Sequence, residues 1–294
     1  MHPRAFRSLL QASIFSILCL SPLLAIGGQQ SSNPVTLRMK YPLGAAHKYR
    51  DTMKLNMTLQ VPGQSMTQTK ATTSDAVVRE KVTKLLPNGG AQVTSLTLSE
   101  KDTDDGKPVP SKPNKTPDVD SFSARGEVLS RKGLTPANLH TELLTGANAF
   151  LAMLLTSGIL PQQPVKPGDT WTQTISLPDM PGIGSATIAS HFVKTEQIGA
   201  YQTALIHTQV TIPLSLMLDA NDKPTTRADQ AVSTGTGTAT GRFDQNFAMR
   251  QGFTVRLRGE GAIDNMFRIQ MQPNSPPFQG QTKIKVTLGR DLIP

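Results

Sequence analysis

KLNMTLQV, residues 54–61, sets Leu55, Met57, Leu59 and Val61 against Lys54, Asn56, Thr58 and Gln60. Strict alternation sends the first four side chains to one side of an extended chain and the other four to the opposite side. That is a strand with one dry face and one wet face. AQVTSLTLSE (91–100) repeats the pattern, and FTVRLRGEG (253–261) sets Phe253, Val255 and Leu257 against Thr254, Arg256 and Arg258. QTKIKVTLGR (281–290) closes the chain in the same way. An antiparallel sheet with one solvated face produces such alternation. Threonine, glutamine, valine and glycine fill most of the intervening positions, which is largely strand composition.

One segment departs from this period. In LTPANLHTELLTGANAFLAMLLTSGILP, the residues Leu139, Leu143, Ala147, Phe150, Leu151 and Leu154 recur at helical spacing. Thr135 is a suitable N-cap, Pro136 suits the first helical position, and Gly158 and Pro161 stop the run. The spacing predicts a helix from Pro136 to about Ser157, with an apolar side wide enough to be covered on more than one face. The expected fold class is mainly β: curved antiparallel sheet from two related halves, with one central amphipathic helix.

The halves rest on a weak internal repeat. YPLGAAHKYRDT (41–52) matches VKPGDTWTQT (165–174), VTKLLPNGGAQVTSLTL (82–98) matches VKTEQIGAYQTALIHTQ (193–209), and SARGEVLSRKG matches ATGRFDQNFAMRQG. The order is the same in both sets. Asn88-Gly89 is read as a type I′ hairpin turn. Pro167-Gly168 provides the fixed φ and the positive φ of a type II turn, so the proline-rich stretch before Trp171 is read as a joint. The resulting plan is a signal peptide (1–27), a first β half (28–134), a connecting helix (135–160) and a second β half (161–294). DTDDGKPVPSKPNKTPDVD (102–120) and DANDKPTTRADQ (219–230) read as loop or disordered insertions.

PVKPGDTW after a short helix, with GTGTATGRFD later, resembles a group of bacterial exported proteins of unknown function that carry a Pro-Gly-Asp-x-Trp turn and duplicated β halves. The plan of a helix in a curved sheet is also similar to that of periplasmic lipoprotein carriers. These motifs are structural, and the resemblance implies no functional residue.

The N-terminus predicts export. Arg4 and Arg7 precede an uncharged apolar run, Ala12 to Leu24, and Ala25-Ile26-Gly27 places small residues at −3 and −1 for cleavage after Gly27. Pro22 and the short core favour cleavage over retention as an anchor, and Leu18 makes a poor lipobox before Cys19. Cleavage removes the single cysteine, and with it any disulfide, thiolate nucleophile or cysteine metal site. The expected location is periplasmic or extracellular. No later stretch is apolar for long enough to span a bilayer as a helix. The formal charge of +9 suits a soluble exported protein, and also attraction to anionic lipids or envelope polymers. Nucleic acid is disfavoured because aromatics are sparse and not interleaved with basic runs.

Motifs for chemistry are few. TGTGTATGR (234–242) has phosphate-loop glycines, but such a loop must open a helix and this one continues as strand, so a strand with one bare face is expected. DTDDG lacks calcium-loop spacing and reads as an acidic turn. His191 and His207 flank Gly199 and would meet across a hairpin, which makes them candidate metal ligands; no other metal ligand and no cofactor is expected. Trp171 is a candidate ligand platform, although a Trp entering a strand is more often buried. No GxSxG, cysteine or Ser/His/Asp signature is present, so no catalytic residue is assigned. The first functional reading is a non-catalytic exported protein that binds an apolar or amphipathic ligand, lipid included, or an envelope partner. The alternatives are a hydrolase of cell-envelope polymers, with carboxylates gathered by the fold, and a structural envelope component.

Overall fold

A computed structural model describes residues 33–61, 67–110, 116–131, 160–175, 185–220, 225, 227–270 and 276–294. Their strands are β1 (Ala46–Gln60), β2 (Thr67–Leu85), β3 (Ala91–Asp104), β4 (Lys107–Val109), β5 (Asp118–Phe122) and β6 (Val128–Arg131). They continue with β7 (Thr170–Ile175), β8 (Ala186–Ile198), β9 (Tyr201–Leu218), β10 (Ser233–Ala248), β11 (Phe253–Ile269) and β12 (Phe278–Ile293). All twelve form one antiparallel sheet in the order β6-β5-β3-β2-β1-β12-β11-β10-β9-β8-β7, with β4 paired to β3. The four alternating stretches all fall on strands, in β1, β3, β11 and β12.

The expected fold class needs correction. Among the described residues there is no helix, and the strands on both sides of the 132–159 stretch belong to a single sheet. They are joined by a ladder between the first long strand and the last, from Lys48↔Ile293 to Gln60↔Gln281. The alternating patterns explain the pairing. Met53 faces Leu288, Leu55 faces Val286 and Met57 faces Ile284, so apolar side chains meet on one face while Lys54, Asn56, Lys283 and Lys285 go to the other. Side-chain periodicity also fixes the register, because a slip of one residue would expose the whole apolar set. The stretch read as a helix, 136–157, lies outside the described residues, as do the signal-peptide residues 1–27 with Cys19.

Two turns differ from their expected form. At Asn88-Gly89 only the glycine has positive φ, +75°. The Gly89 N–H donates to Leu86 O at 3.2 Å, and the Leu86 N–H to Gly90 O at 2.9 Å. Pro87 fixes a negative φ at the first central position, so the hairpin closes as a type I turn followed by a left-handed glycine, not as type I′. The two-residue turn with both φ positive is at Asp105 (+48°) and Gly106 (+77°), between β3 and β4. The 102–120 stretch is therefore partly hairpin: an Asp-Gly pair was enough to nucleate a ladder despite the charge around it. A Cβ at Gly106 would meet nothing within 4 Å. Gly106→Ala should thus cost only the left-handed backbone penalty, about 1 kcal/mol, in a urea titration. A larger loss would mean that the hairpin tip makes contacts beyond its own strands.

The apolar face holds a cluster drawn from six strands. It contains Leu55, Ala186, Ile188, Val210, Ile212, Leu214, Ala239, Phe243, Ile263, Ile284 and Val286, with Met53, Met57 and Leu288 packed against it. The Gly/Thr strand shows why one face was left bare. A Cβ on Gly241 would come within 2.5 Å of the Phe243 ring, and one on Gly259, the cross-strand partner of Phe243, within 2.2 Å. The ring lies over both glycines and fills the space their side chains leave.

A second cluster gathers Leu37, Leu160, Val165, Phe192, Ala204, Ile206 and Phe247 at one end of the strands. The segment before β1 bridges to the segment before β7 through Val35↔Val165. The Arg38 guanidinium donates to the carbonyls of Leu37, Pro161 and Gln162, at 2.5–2.7 Å. Pro167-Gly168 forms the expected turn: Gly168 has φ +96°, and the Asp169 N–H donates to Lys166 O at 3.0 Å. The Asp169 carboxylate accepts in return from the Lys166 N–H at 2.9 Å.

Candidate functional site

Along β1 and β12 the inward-facing positions change character. Met57, Leu55 and Met53 are followed by Asp51 and Tyr49; opposite them, Ile284, Val286 and Leu288 are followed by Arg290 and Leu292. Asp51 and Arg290 are cross-strand partners. Arg290 grips the Asp51 carboxylate with two hydrogen bonds of 2.7 Å, from Nε and Nη2. Its Nη1 donates to Glu80 Oε1 on β2, also at 2.7 Å. The guanidinium carbon lies 4.6 Å from the centre of the Tyr49 ring. Two carboxylates and one cation leave this knot with a net negative charge. Arg290 loses solvation by burial, but Glu80 and Asp51 outweigh that loss and raise its pKa well above the ordinary value.

An aromatic row continues from the knot. The His47 ring, whose residue is opposite Glu80 across the β1–β2 ladder, is 4.4 Å from Phe253, which meets Tyr201 edge-on at 5.3 Å. Burial lowers the His47 pKa, and the charge of Glu80 opposes that shift. A surface recess of about 450 Å³ lies beside these residues, lined by His47, Arg79, Tyr201, Leu292 and Pro294 among others. Chemically, the knot offers no free acid–base pair, since both carboxylates are held by one guanidinium.

Tyr49 and Tyr41 are pushed well above the ordinary phenol value of 10.0, first by burial and then by the charge of Glu80. Raised phenol values stabilise the fold below pH 10, and that contribution is lost as pH climbs from there towards the folded-state value. The chain has three tyrosines. Tyrosinate absorbance should therefore rise by no more than one equivalent before alkaline unfolding, followed by circular dichroism. Two or more equivalents in the folded protein would contradict the burial of Tyr41 and Tyr49.

None of Asp51, Glu80 or Arg290 was singled out from the sequence. The signal was there: each of Asp51 and Arg290 occupies an in-phase position of a dry strand face, where a charge must have a partner. The residues that were singled out lie elsewhere. Trp171 on β7 is half-buried against the Leu37–Phe192–Phe247 cluster, and its cross-strand partner is the buried Ser190. His191 and His207 do face each other across the β8–β9 ladder, with ring centres 6.5 Å apart, on the wet face of the sheet. The His207 Nδ1 also bonds to the Asp244 carboxylate on β10. Among the described residues, no group of three or more His, Cys, Asp or Glu is placed to hold a metal ion. The glycine-rich 234–242 stretch lies wholly within strand β10, not at a helix start.

No family model matches the chain, and no curated protein matches it. Several solved structures align over most of it. Lipovitellin, in a structure describing its lipid–protein interactions, aligns over 87% of this chain and 26% of its own, at 10% identity and a TM-score of 0.42. The chain thus spans about a quarter of lipovitellin's length. A Bacteroides fragilis protein with a YmcC-like fold aligns over 85% of this chain and 97% of its own, at 14% identity and a TM-score of 0.22. A porin from Rh. blastica aligns over 85% of this chain and 100% of its own, at 8% identity and a TM-score of 0.24. Likeness at these scores carries no functional argument, so function has to be argued from the chain's own residues.

Proposed function

We propose that this is an exported, non-catalytic protein that holds an apolar or amphipathic ligand, a lipid in the simplest case, against the inner face of its sheet. The supporting observation is the passage on β1 and β12 from a charged knot at Asp51, Glu80 and Arg290 to an apolar surface that runs on through β11, β10, β9 and β8. Leu55, Ile188, Val210, Ile284 and Val286 on that surface are 4% exposed or less, so a ligand held there enters an interior shielded from water. From Asp51 to Met57 the chain rises about 20 Å at the usual strand pitch, a length suited to an acyl chain. The charge, apolar run and small residues at the N-terminus support export. Among the described residues no helix is long and apolar enough to cross a membrane.

A hydrolase reading would need carboxylates free to give and take protons, and Asp51 and Glu80 are bound to Arg290. The test is native mass spectrometry of the protein after incubation with fatty acids and with phospholipid vesicles, alongside displacement of a fluorescent fatty acid. A bound mass of one acyl lipid, competed by the fluorescent probe, is expected. A protein that stays free of ligand and leaves the probe unbound under all these conditions would rule the reading out.

A further inference from the structure

The wet face of the sheet carries cations that the fold does not neutralise. Lys48, Lys54, Arg79, Arg242, Lys283 and Lys285 are all exposed, and none joins an ion pair among the described residues. The registers put them on one face. Lys48 is directly opposite Arg79. Lys54 is opposite Thr287, with Lys285 on the next same-face rung opposite Asn56 and Lys283 on the one after. Arg242 reaches the same face through Glu260, which is opposite both Arg242 and Thr287.

The acids on this face do not balance them. Asp75 is taken by Arg50, and Asp291 by Arg256 and Arg258. Asp244 bonds to His207 and Asp264 accepts from Gln281. With Glu260 opposite Arg242 and Asp264 opposite Lys283, these three carboxylates stand against the six cations and leave the face net positive. Like charges directly across a ladder, as at Lys48 and Arg79, destabilise a sheet. An external anion would relieve that repulsion.

The shape of the patch narrows the choice of anion. Its cations lie across β2, β1, β12 and β10, with β11 between the last two. Five strands at about 4.8 Å spacing make a band roughly 20 Å wide, a surface and not a groove for one polymer strand. His47 and Tyr201 share one recess with Lys48 and Arg79, but the outward positions around Lys54, Lys283 and Lys285 carry no aromatic side chain, so bases have no row of stacking platforms along the patch. We infer that this face docks on an anionic lipid bilayer, its lysines and arginines among the headgroup phosphates. The inference goes beyond ligand binding on the opposite face and does not depend on it.

Flotation of the protein with phosphatidylcholine vesicles, with and without phosphatidylglycerol, tests it. Binding is expected only with phosphatidylglycerol, and is expected to be lost in high salt, because exposed charges are screened. The triple variant Lys54→Glu/Lys283→Glu/Lys285→Glu should bind at least roughly tenfold more weakly, and the Gln counterpart should fall between it and wild type. The Gln variant, which sets no new carboxylate opposite Asp264, should keep the wild-type melting temperature and the wild-type binding of a fluorescent fatty acid, which separates this result from the ligand-binding reading. Equal binding to neutral vesicles, unaltered binding by the triple variant, or capture by a soluble polyanion with no vesicle binding would each overturn the inference.

Discussion

Arg290→Met is expected to destabilise the fold by about 3 kcal/mol, the low end for breaking a buried ion pair. The low end applies because Arg290, Asp51 and Glu80 keep 19%, 31% and 25% of their side-chain surface exposed. The loss arises less from the missing attraction than from what remains: two neighbouring carboxylates without their cation, beneath the Tyr49 ring. If so, removing the carboxylates as well should restore most of the stability. Arg290→Met/Asp51→Leu/Glu80→Gln should unfold in urea much closer to wild type than the single variant does. A triple variant as unstable as the single one would show that the guanidinium acts mainly by packing. A single variant within 0.5 kcal/mol of wild type, about the spread of ordinary surface substitutions, would mean that the knot contributes nothing to folding.

Phe243→Ala should be as damaging or more so, at about 3–5 kcal/mol, the range for truncating a buried aromatic. Phe243 is 6% exposed and lies in the main apolar cluster. Its ring also covers Gly241 and Gly259, so truncation leaves a void bordered by two residues with no side chain to move into it. Phe243→Leu should recover part of the loss. The complementary change, Gly259→Ala, forces a Cβ to within 2.2 Å of the ring and should destabilise by about 1–3 kcal/mol through overpacking. Thermal melts of the three variants check both directions. A Phe243→Ala protein that melts like wild type would show that the ring is not packed over these glycines.

The two cases differ in how far the sequence revealed them. For Phe243 the sequence showed half: glycines alternating with threonine announced a bare face, but not which side chain would cover it. That partner is set by the β10–β11 register, in which Phe243 falls opposite Gly259. For Arg290 the sequence held only an anomaly of phase. Asp51 and Arg290 are 239 residues apart, and no local rule links the first strand of a chain to its last.

The sequence by itself determined that 54–61, 253–261 and 281–290 are strands and which side of each is dry, because alternation is a local property with a period of two. On β3 it did not, since Leu96 lies opposite Arg79 and Leu98 is 44% exposed. It also determined the Pro167-Gly168 turn, since proline and glycine constrain their own backbone angles. It misjudged the turn at Asn88-Gly89, where Pro87 overruled the dipeptide preference, and it undervalued Asp105-Gly106 amid acidic neighbours. The joining of the two halves was decided only in three dimensions, by the β1–β12 ladder. Strand pairing is a long-range choice, made by matching the apolar phases of segments distant in the chain. That same pairing brings Asp51 to Arg290 and gathers the unpaired lysines of β1 and β12 on one wet face, so both the proposed ligand face and the proposed membrane face are products of tertiary structure.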